Sequence, residues 1–305
     1  MMNNYSKGLV SVIIPTYKRS DKLSRAIESV LSQTYSDLEL LLINDNEPDD
    51  EYSKELPEVI SNFTKDSRFH FLNQPKHING AVARNYGISH AKGEYIAFLD
   101  DDDWWQPNKL ALQIKAFSKL PNEFGIVSCK IERYNNDHLI AKLPRHDSGY
   151  VYKDILMLKS DFATGTLMIK HCILDELGAF DEKLIRHQDL QLLVNLTYKY
   201  KLYQVNEYLH CCDVSDAQNR PNVEKIKKAK KAFFSSIAPV FLTLTEKEQR
   251  AVKLVHLFEV GYVEIKNRHI IGVVHMGKVV LSYTAFCTVI KKIKMKYESK
   301  RLVTK

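Results

Sequence analysis

The stretch Gly93-Glu-Tyr-Ile-Ala-Phe-Leu99 runs straight into Asp100-Asp101-Asp102-Asp103, and then into Trp104-Trp105-Gln106-Pro107. An apolar run of this length opened by a glycine reads as a buried strand of a parallel sheet. Four carboxylates at the end of such a strand repel one another. A cation is the usual way to hold them together, and hard cations such as Mg²⁺ prefer oxygen ligands plus substrate phosphates. The carboxyl ends of strands are also where open α/β sheets bind ligands. The run therefore points to a metal-assisted reaction on a phosphorylated substrate. An isolated acidic run is ordinarily a solvated turn. The strand before this one and the aromatic pair after it argue against that.

Working outward, Leu9 to Ile14 is a strand ended by Pro15, and residues 21–34 carry Leu23, Ala26, Ile27, Val30 and Leu31 at helical spacing, with Ser20 or Asp21 as cap. Leu38 to Ile43 is a second buried strand. Residues 51–65 read as a helix, 69–72 as a strand, 80–91 as a helix, 107–119 as a helix and 125–131 as a strand. This alternation implies right-handed parallel βαβ units with helices on both faces, an α/β fold. No Gly-x-Gly-x-x-Gly follows the first strand and no Gly-Lys-Ser/Thr loop occurs, which weakens dinucleotide and P-loop readings. Beyond about residue 145 the pattern is mixed. Residues 164–169 and 202–205 read as strands, 185–201 as a helix, and everything from Asn222 as helical. Residues 269–296 read as one amphipathic basic helix.

The chain has 305 residues, 45% of them hydrophobic, which suits a sizeable core and excludes disorder. Its five cysteines form no metal-ligand spacing, and the odd count argues against a disulfide framework. The first residues carry no secretory signal and no uncharged apolar run is long enough to span a bilayer, so the expectation is a cytoplasmic protein. From Arg220 to Lys305 there are 19 Lys and Arg against 6 Asp and Glu, a charge of +13; the remainder has 25 against 31, or −6. A mildly acidic body with a strongly basic tail suggests an anionic partner for the tail.

Several motifs follow in order: Val10-Ser-Val-Ile-Ile-Pro-Thr-Tyr17, Leu42-Ile-Asn-Asp45, Gly80-Ala-Val-Ala-Arg-Asn-Tyr-Gly87, the Asp100–Asp103 run, Leu177-Gly-Ala-Phe-Asp-Glu182 and Gln188-Asp189. Together they resemble a family 2 glycosyltransferase of the GT-A fold over about residues 8–210. The resemblance implies inverting transfer of one sugar from a nucleotide-sugar, most often a UDP-sugar, with Mn²⁺ or Mg²⁺, of the kind that builds bacterial surface polysaccharides. It places a GT-A domain at 8–215 and a basic helical region at 220–305. It also implies roles for particular residues. Asp100 and Asp102 occupy the acidic positions of the Asp-x-Asp motif, with Asp102 first for metal contact, Asp100 for metal or ribose, and Asp103 in support. Asp101 stands where the family has a small residue and belongs to the same nucleotide-sugar site. Asp45 matches the aspartate that reads the uracil imide. Pro15, Thr16 and Tyr17 line the nucleotide pocket, with Tyr17 suited to stack on the base. Arg84 neutralises a phosphate or buttresses the acidic cluster. Asp189 falls where the family has its general base, with Gln188 in place of a common glutamate and His187 as a rival base. Gly165 and Thr166 border the acceptor, and His210 is either structural or a late ligand.

The chemistry is consistent with those roles. A carboxylate at position 45 is an acceptor only and so discriminates between bases. A cation on the phosphates stabilises the charge that the leaving diphosphate gains. A carboxylate in reach of the acceptor hydroxyl can remove its proton. Three rival readings fit the sequence less well. A haloacid-type phosphohydrolase needs its nucleophilic Asp on the first strand. A processive synthase needs several membrane spans. A peripheral membrane or nucleotide-sugar-binding protein with a degenerate site is at odds with Asp45, Asp102 and Asp189 all being present. The expected partners are a UDP-sugar donor, a glycan or polyprenyl-linked acceptor, and anionic lipid at the inner face of the plasma membrane for the tail. No nucleic-acid module is recognisable.

Overall fold

A computed structural model describes residues 5–19, 21–215 and 222–303. The first strands alternate with helices: β1 (Ser6–Thr16), α1 (Leu23–Leu31), β2 (Leu38–Asn44), α2 (Glu51–Ile60), β3 (Phe69–Asn73), α3 (Gly80–His90), β4 (Gly93–Phe98). β1 pairs in parallel with β2 and with β4, and β2 with β3. Along these strands successive side chains enter opposite faces. Ile13, Leu41, Ile43, Ile96 and Phe98 belong to one apolar cluster. Val10, Val12, Ile14, Leu40, Leu42, Ala97 and Leu99 belong to the other. Both faces are covered, which is why these strands read as unbroken apolar runs.

The later elements depart from simple alternation. β5 (Trp104–Trp105) and α4 (Lys109–Phe117) precede β6 (Phe124–Asn135), β7 (His138–Lys142), β8 (Ser148–Gly149) and α5 (Tyr152–Leu156). Then come β9 (Met168–Lys170), α6 (His171–Leu177), α7 (Gln188–Lys199) and β10 (Lys201–Asp213). The main sheet order is β3-β2-β1-β4-β9-β6-β10-β5. β9 runs antiparallel between β4 and β6, so the strand expected to follow β4 directly is one place further out. Residues 164–166, expected to open that strand, form a 3₁₀ turn instead. Strand order reverses beside β1: β2 and β3 extend one way, β4 the other. The carboxyl ends of β1 and β4 therefore flank the switch point where such sheets bind ligands.

The helical region comprises α8 (Val223–Ser236), α9 (Ala238–Phe241), α10 (Glu246–Lys266), α11 (Ile271–Gly277) and α12 (Tyr283–Arg301). Phe233, Ile237, Val240, Val252, Val255 and Val289 join the same apolar cluster as Ile13 and Phe98. Two expectations are corrected. The single helix over 269–296 is broken: α11 passes through a 3₁₀ turn over Lys278–Leu281, and Ser282, in extended backbone, caps α12 by accepting from the Ala285 N–H. The two arms bend by 116°. Asp21 does not cap α1, which has Lys22 at its N-cap and no side-chain cap bond; Ser20 lies outside the described residues.

Candidate active site

At the switch point a cavity of about 580 Å³ is lined by Pro15, Tyr17, Arg19, Asp45, Arg84 and Asp100–Asp103, among others. The loop after β1 turns sharply. Lys18 adopts a left-handed conformation (φ 53°) while its N–H donates to Asn46 Oδ1 at 2.7 Å. Thr16 is fully buried and its hydroxyl donates to the Arg19 carbonyl at 3.2 Å, so it shapes this loop and does not line the cavity. Tyr17 does face the cavity, and its ring lies flat on His77, with centroids 3.8 Å apart and planes at 7°.

Asp45 is anchored at the end of β2 by its own N–H donating to the Thr16 carbonyl at 3.0 Å. Its carboxylate accepts from Gln74 Nε2 at 2.8 Å and faces His77 Nδ1 at 3.1 Å. Burial raises its pKa, and His77 opposes that rise. A buried carboxylate between two donors, next to an aromatic shelf, is a site for a planar ring presenting N–H groups.

The acidic run is held by cations from elsewhere in the chain. Asp100 pairs with Arg84 Nη2 at 2.6 Å. Arg19 Nη1 lies 2.5 Å from Asp102 and 3.4 Å from Asp101. Asp101 also accepts the Tyr17 N–H at 3.4 Å. Asp103 is buried, accepts the Asp213 N–H at 2.8 Å and lies 3.1 Å from His210 Nε2. Burial pushes Asp101 up to about 6, against the pull of Arg19. Burial, then Asp103 and Asp100, push Asp102 up to about 8. Burial and the neighbouring carboxylates thus work against ionisation of Asp101 and Asp102.

That electrostatic deficit suits a divalent cation. His210, Asp103 and Cys212 also bring their ligand atoms within 4.8 Å of one another; Nδ1 of the fully buried His210 ring makes no hydrogen bond, and Nε2 has the Asp103 carboxylate beside it. Cys212 is the sulfur of that trio, and burial and then Asp103 raise its thiol. The remaining oxygen and imidazole donors match Mg²⁺ or Mn²⁺ better than a thiophilic metal.

Asp189 lies in the first turn of α7 and lines an adjoining cavity of about 260 Å³, which shares Cys212 with the larger one. Burial raises its pKa, while helix-terminal N–H groups and Arg84 counteract. Arg84 lines the larger cavity, and its Nη1 also lies 3.4 Å from Oε1 of Gln188, the residue before Asp189. His187, the rival base, adopts a left-handed conformation (φ 63°), and burial drops it to about 4. Gly165 and Thr166 are buried, next to Phe162 and Ala163, which line the Asp189 cavity.

Sequence reasoning missed Arg19, His77, Asp213 and the placement of His210. The last two belong to the far half of β10, which extends to Asp213 and so brings them beside the acidic run. Only the basic pair Lys18-Arg19 after the first strand was a visible signal.

This switch-point site on a GT-A fold defines a sugar-transferring enzyme, and the sequence comparison agrees. Residues 11–177 match the profile of "Glycosyl transferase family 2", and the chain belongs to that family. It is 32% identical over 225 residues to an uncharacterised glycosyltransferase of Rickettsia typhi, covering 72% of this chain and 68% of the relative. Across the first Rickettsia relatives the chain spans from 30% to 68% of their length. It is 29% identical to the UDP-Glc:alpha-D-GlcNAc-diphosphoundecaprenol beta-1,3-glucosyltransferase WfgD of Escherichia coli, over 73% of this chain and 83% of the relative. S. aureus TarS 1-349 in complex with UDP-GlcNAc has the same fold, with a TM-score of 0.59, 12% identity and 88% coverage of both chains.

Proposed function

We propose that this glycosyltransferase moves one sugar, with inversion, from a UDP-sugar to a hydroxyl of a glycan or lipid-linked acceptor in surface-polysaccharide assembly. The observation that carries this is the pair of adjoining cavities: Asp45 and the acidic run in one, Asp189 in the other, with Cys212 between. The uracil ring stacks on Tyr17, and its imide N–H donates to Asp45. Asp102, with Asp100, would hold Mn²⁺ or Mg²⁺. When bound, that ion neutralises the diphosphate as it leaves. Asp189 accepts the proton of the acceptor hydroxyl. The freed oxygen pair forms the new bond at the anomeric carbon, from the face opposite the phosphate. The bond from that carbon to the phosphate oxygen breaks, and the nucleoside diphosphate departs with its electrons.

The donor side is tested by calorimetry with UDP, GDP, CDP and dTDP, each with Mn²⁺ and with EDTA. The expected result is manganese-dependent binding of UDP, abolished in Asp102→Ala. In Asp45→Asn it should weaken about 10- to 100-fold, the cost of losing a charge-assisted hydrogen bond in a buried site. Equal binding of all four nucleotides would overturn the role of Asp45. Metal-independent binding would overturn that of Asp102.

A further inference from the structure

The cavity holding Asp189 is one of three that meet at a single side chain. Its far wall is made by Glu259 of α10 and Lys292 of α12. A second cavity, of about 290 Å³, runs along α12 and is lined by Arg133, Lys159, Lys292 and Lys296. A third, of about 340 Å³, is an apolar groove between α10 and α12, walled by Val255, Phe258, Tyr262, Val289 and Ile293. Lys292 lines all three, and Lys296 lines two of them.

The junction is cationic. Glu259 lies 3.5 Å from Lys292, but it is already held at 2.7 Å by Lys230. The other acids lining that cavity are Asp189 and Asp161, both raised by burial. A ligand filling this branched space has hydroxyls beside Asp189, an anionic group at Lys292, and an apolar chain in the groove. Lysine is a point-charge partner well suited to a phosphate.

We infer that α10 and α12 form a binding site for a polyprenyl-diphosphate-linked sugar. The sugar lies beside Asp189, the diphosphate at Lys292, Lys296 and Arg133, and the start of the chain in the α10–α12 groove. This rests on the reading of Asp189 as the base. It adds that the helical region, and not only the GT-A body, selects the acceptor.

The test is calorimetry on the full chain with geranylgeranyl diphosphate, inorganic diphosphate and geranylgeraniol, each with and without UDP and Mn²⁺. Geranylgeranyl diphosphate should bind at least about tenfold more tightly than either fragment, whether or not UDP is present. Lys292→Gln should weaken it about tenfold or more, and Lys292→Arg should restore most of the loss. Ile293→Asp, on the exposed lip of the groove, should also weaken it. None of the three should change UDP binding or thermal unfolding, because in Lys292→Gln Glu259 keeps Lys230. Three results would overturn the site: wild-type affinity in Lys292→Gln, inorganic diphosphate binding as tightly as the prenyl compound, or geranylgeraniol doing so. Loss of prenyl-diphosphate binding when UDP is added would also overturn it, since that places the ligand in the donor cavity. Failure of UDP to bind at all would count against the donor reading alone and leaves this readout intact.

Discussion

In the proposed role as base, Asp189 must carry a negative charge to take a proton, yet it sits where burial resists that charge. Its carboxyl therefore titrates above the ordinary aspartate range. Below that folded-state pKa the base is protonated and idle; above it the base is ready. The acid limb of kcat/KM should accordingly fall at a pH higher than an unperturbed aspartate would give. Arg84 works in the opposite direction, so Arg84→Met should move the limb further up. Asp189→Asn should cut turnover by about 10²- to 10⁴-fold with UDP binding retained. Full turnover in that variant would remove Asp189 from the mechanism. The carboxylates of this site were legible in the sequence because acidic residues after apolar runs stand out. Their partners were not. Arg19, His77 and Arg84 reach Asp102, Asp45 and Asp100 from other loops and helices, and no local pattern announces which cation will meet which carboxylate.

At the level of elements, the same division holds between local and long-range information. β1, β2, β3 and β4 were readable because strands covered on both faces are unbroken apolar runs, as was α3, and their bounds shift by one to three residues. β10 was read as a stub over 202–205 because Asn206 and Glu207 interrupt its apolar run; register shifts in its pairing with β6 absorb that irregularity. The insertion of β9 between β4 and β6 depends on tertiary pairing alone. The break at Ser282 escaped notice because apolar residues on both sides keep helical spacing. β10 matters most, since it delivers His210 against the site. The space for that ring is made by Gly165: a Cβ there would lie 2.3 Å from His210 Cε1. The same residue's carbonyl accepts from Trp105 Nε1 at 2.8 Å, so the backbone cannot easily retreat. Gly165→Ala should destabilise the fold by about 1–3 kcal/mol through overpacking. The readout is a lower urea midpoint at unchanged m-value. An unshifted midpoint would mean the ring has somewhere to go.

Over the whole molecule, charge and exposed apolar surface coincide at one end of the chain. Ile270, Val273, Val280, Leu281, Tyr283 and Tyr297 are all more than half exposed on or beside α11 and α12. Lys278, Lys291, Lys294, Lys300 and Arg301 are interspersed among them. Among the described residues no single helix is long and apolar enough to cross a membrane, and the bent pair α11–α12 passes only when its arms are taken together. A bent, basic, amphipathic pair is the geometry of a segment that lies in a lipid interface, with apolar side chains below the headgroups and lysines among the phosphates. If the acceptor is lipid-linked as proposed, this pair is the surface that would meet the lipid. Two forces of different range make this testable. The electrostatic part adds about 1 kcal/mol per basic side chain near an anionic surface and is lost with salt. The apolar part is not screened. In vesicle sedimentation the full chain should pellet with anionic phosphatidylglycerol vesicles and only weakly with phosphatidylcholine. Raising the salt to about 0.5 M should release much of it by shortening the screening length. Ile270→Asp with Tyr283→Asp should remove the salt-resistant remainder without altering UDP binding, because neither residue lines the donor cavity or the Asp189 cavity. A chain that stays in the supernatant with anionic vesicles at low salt has no membrane face here, and its apolar surface would then have to be covered by protein.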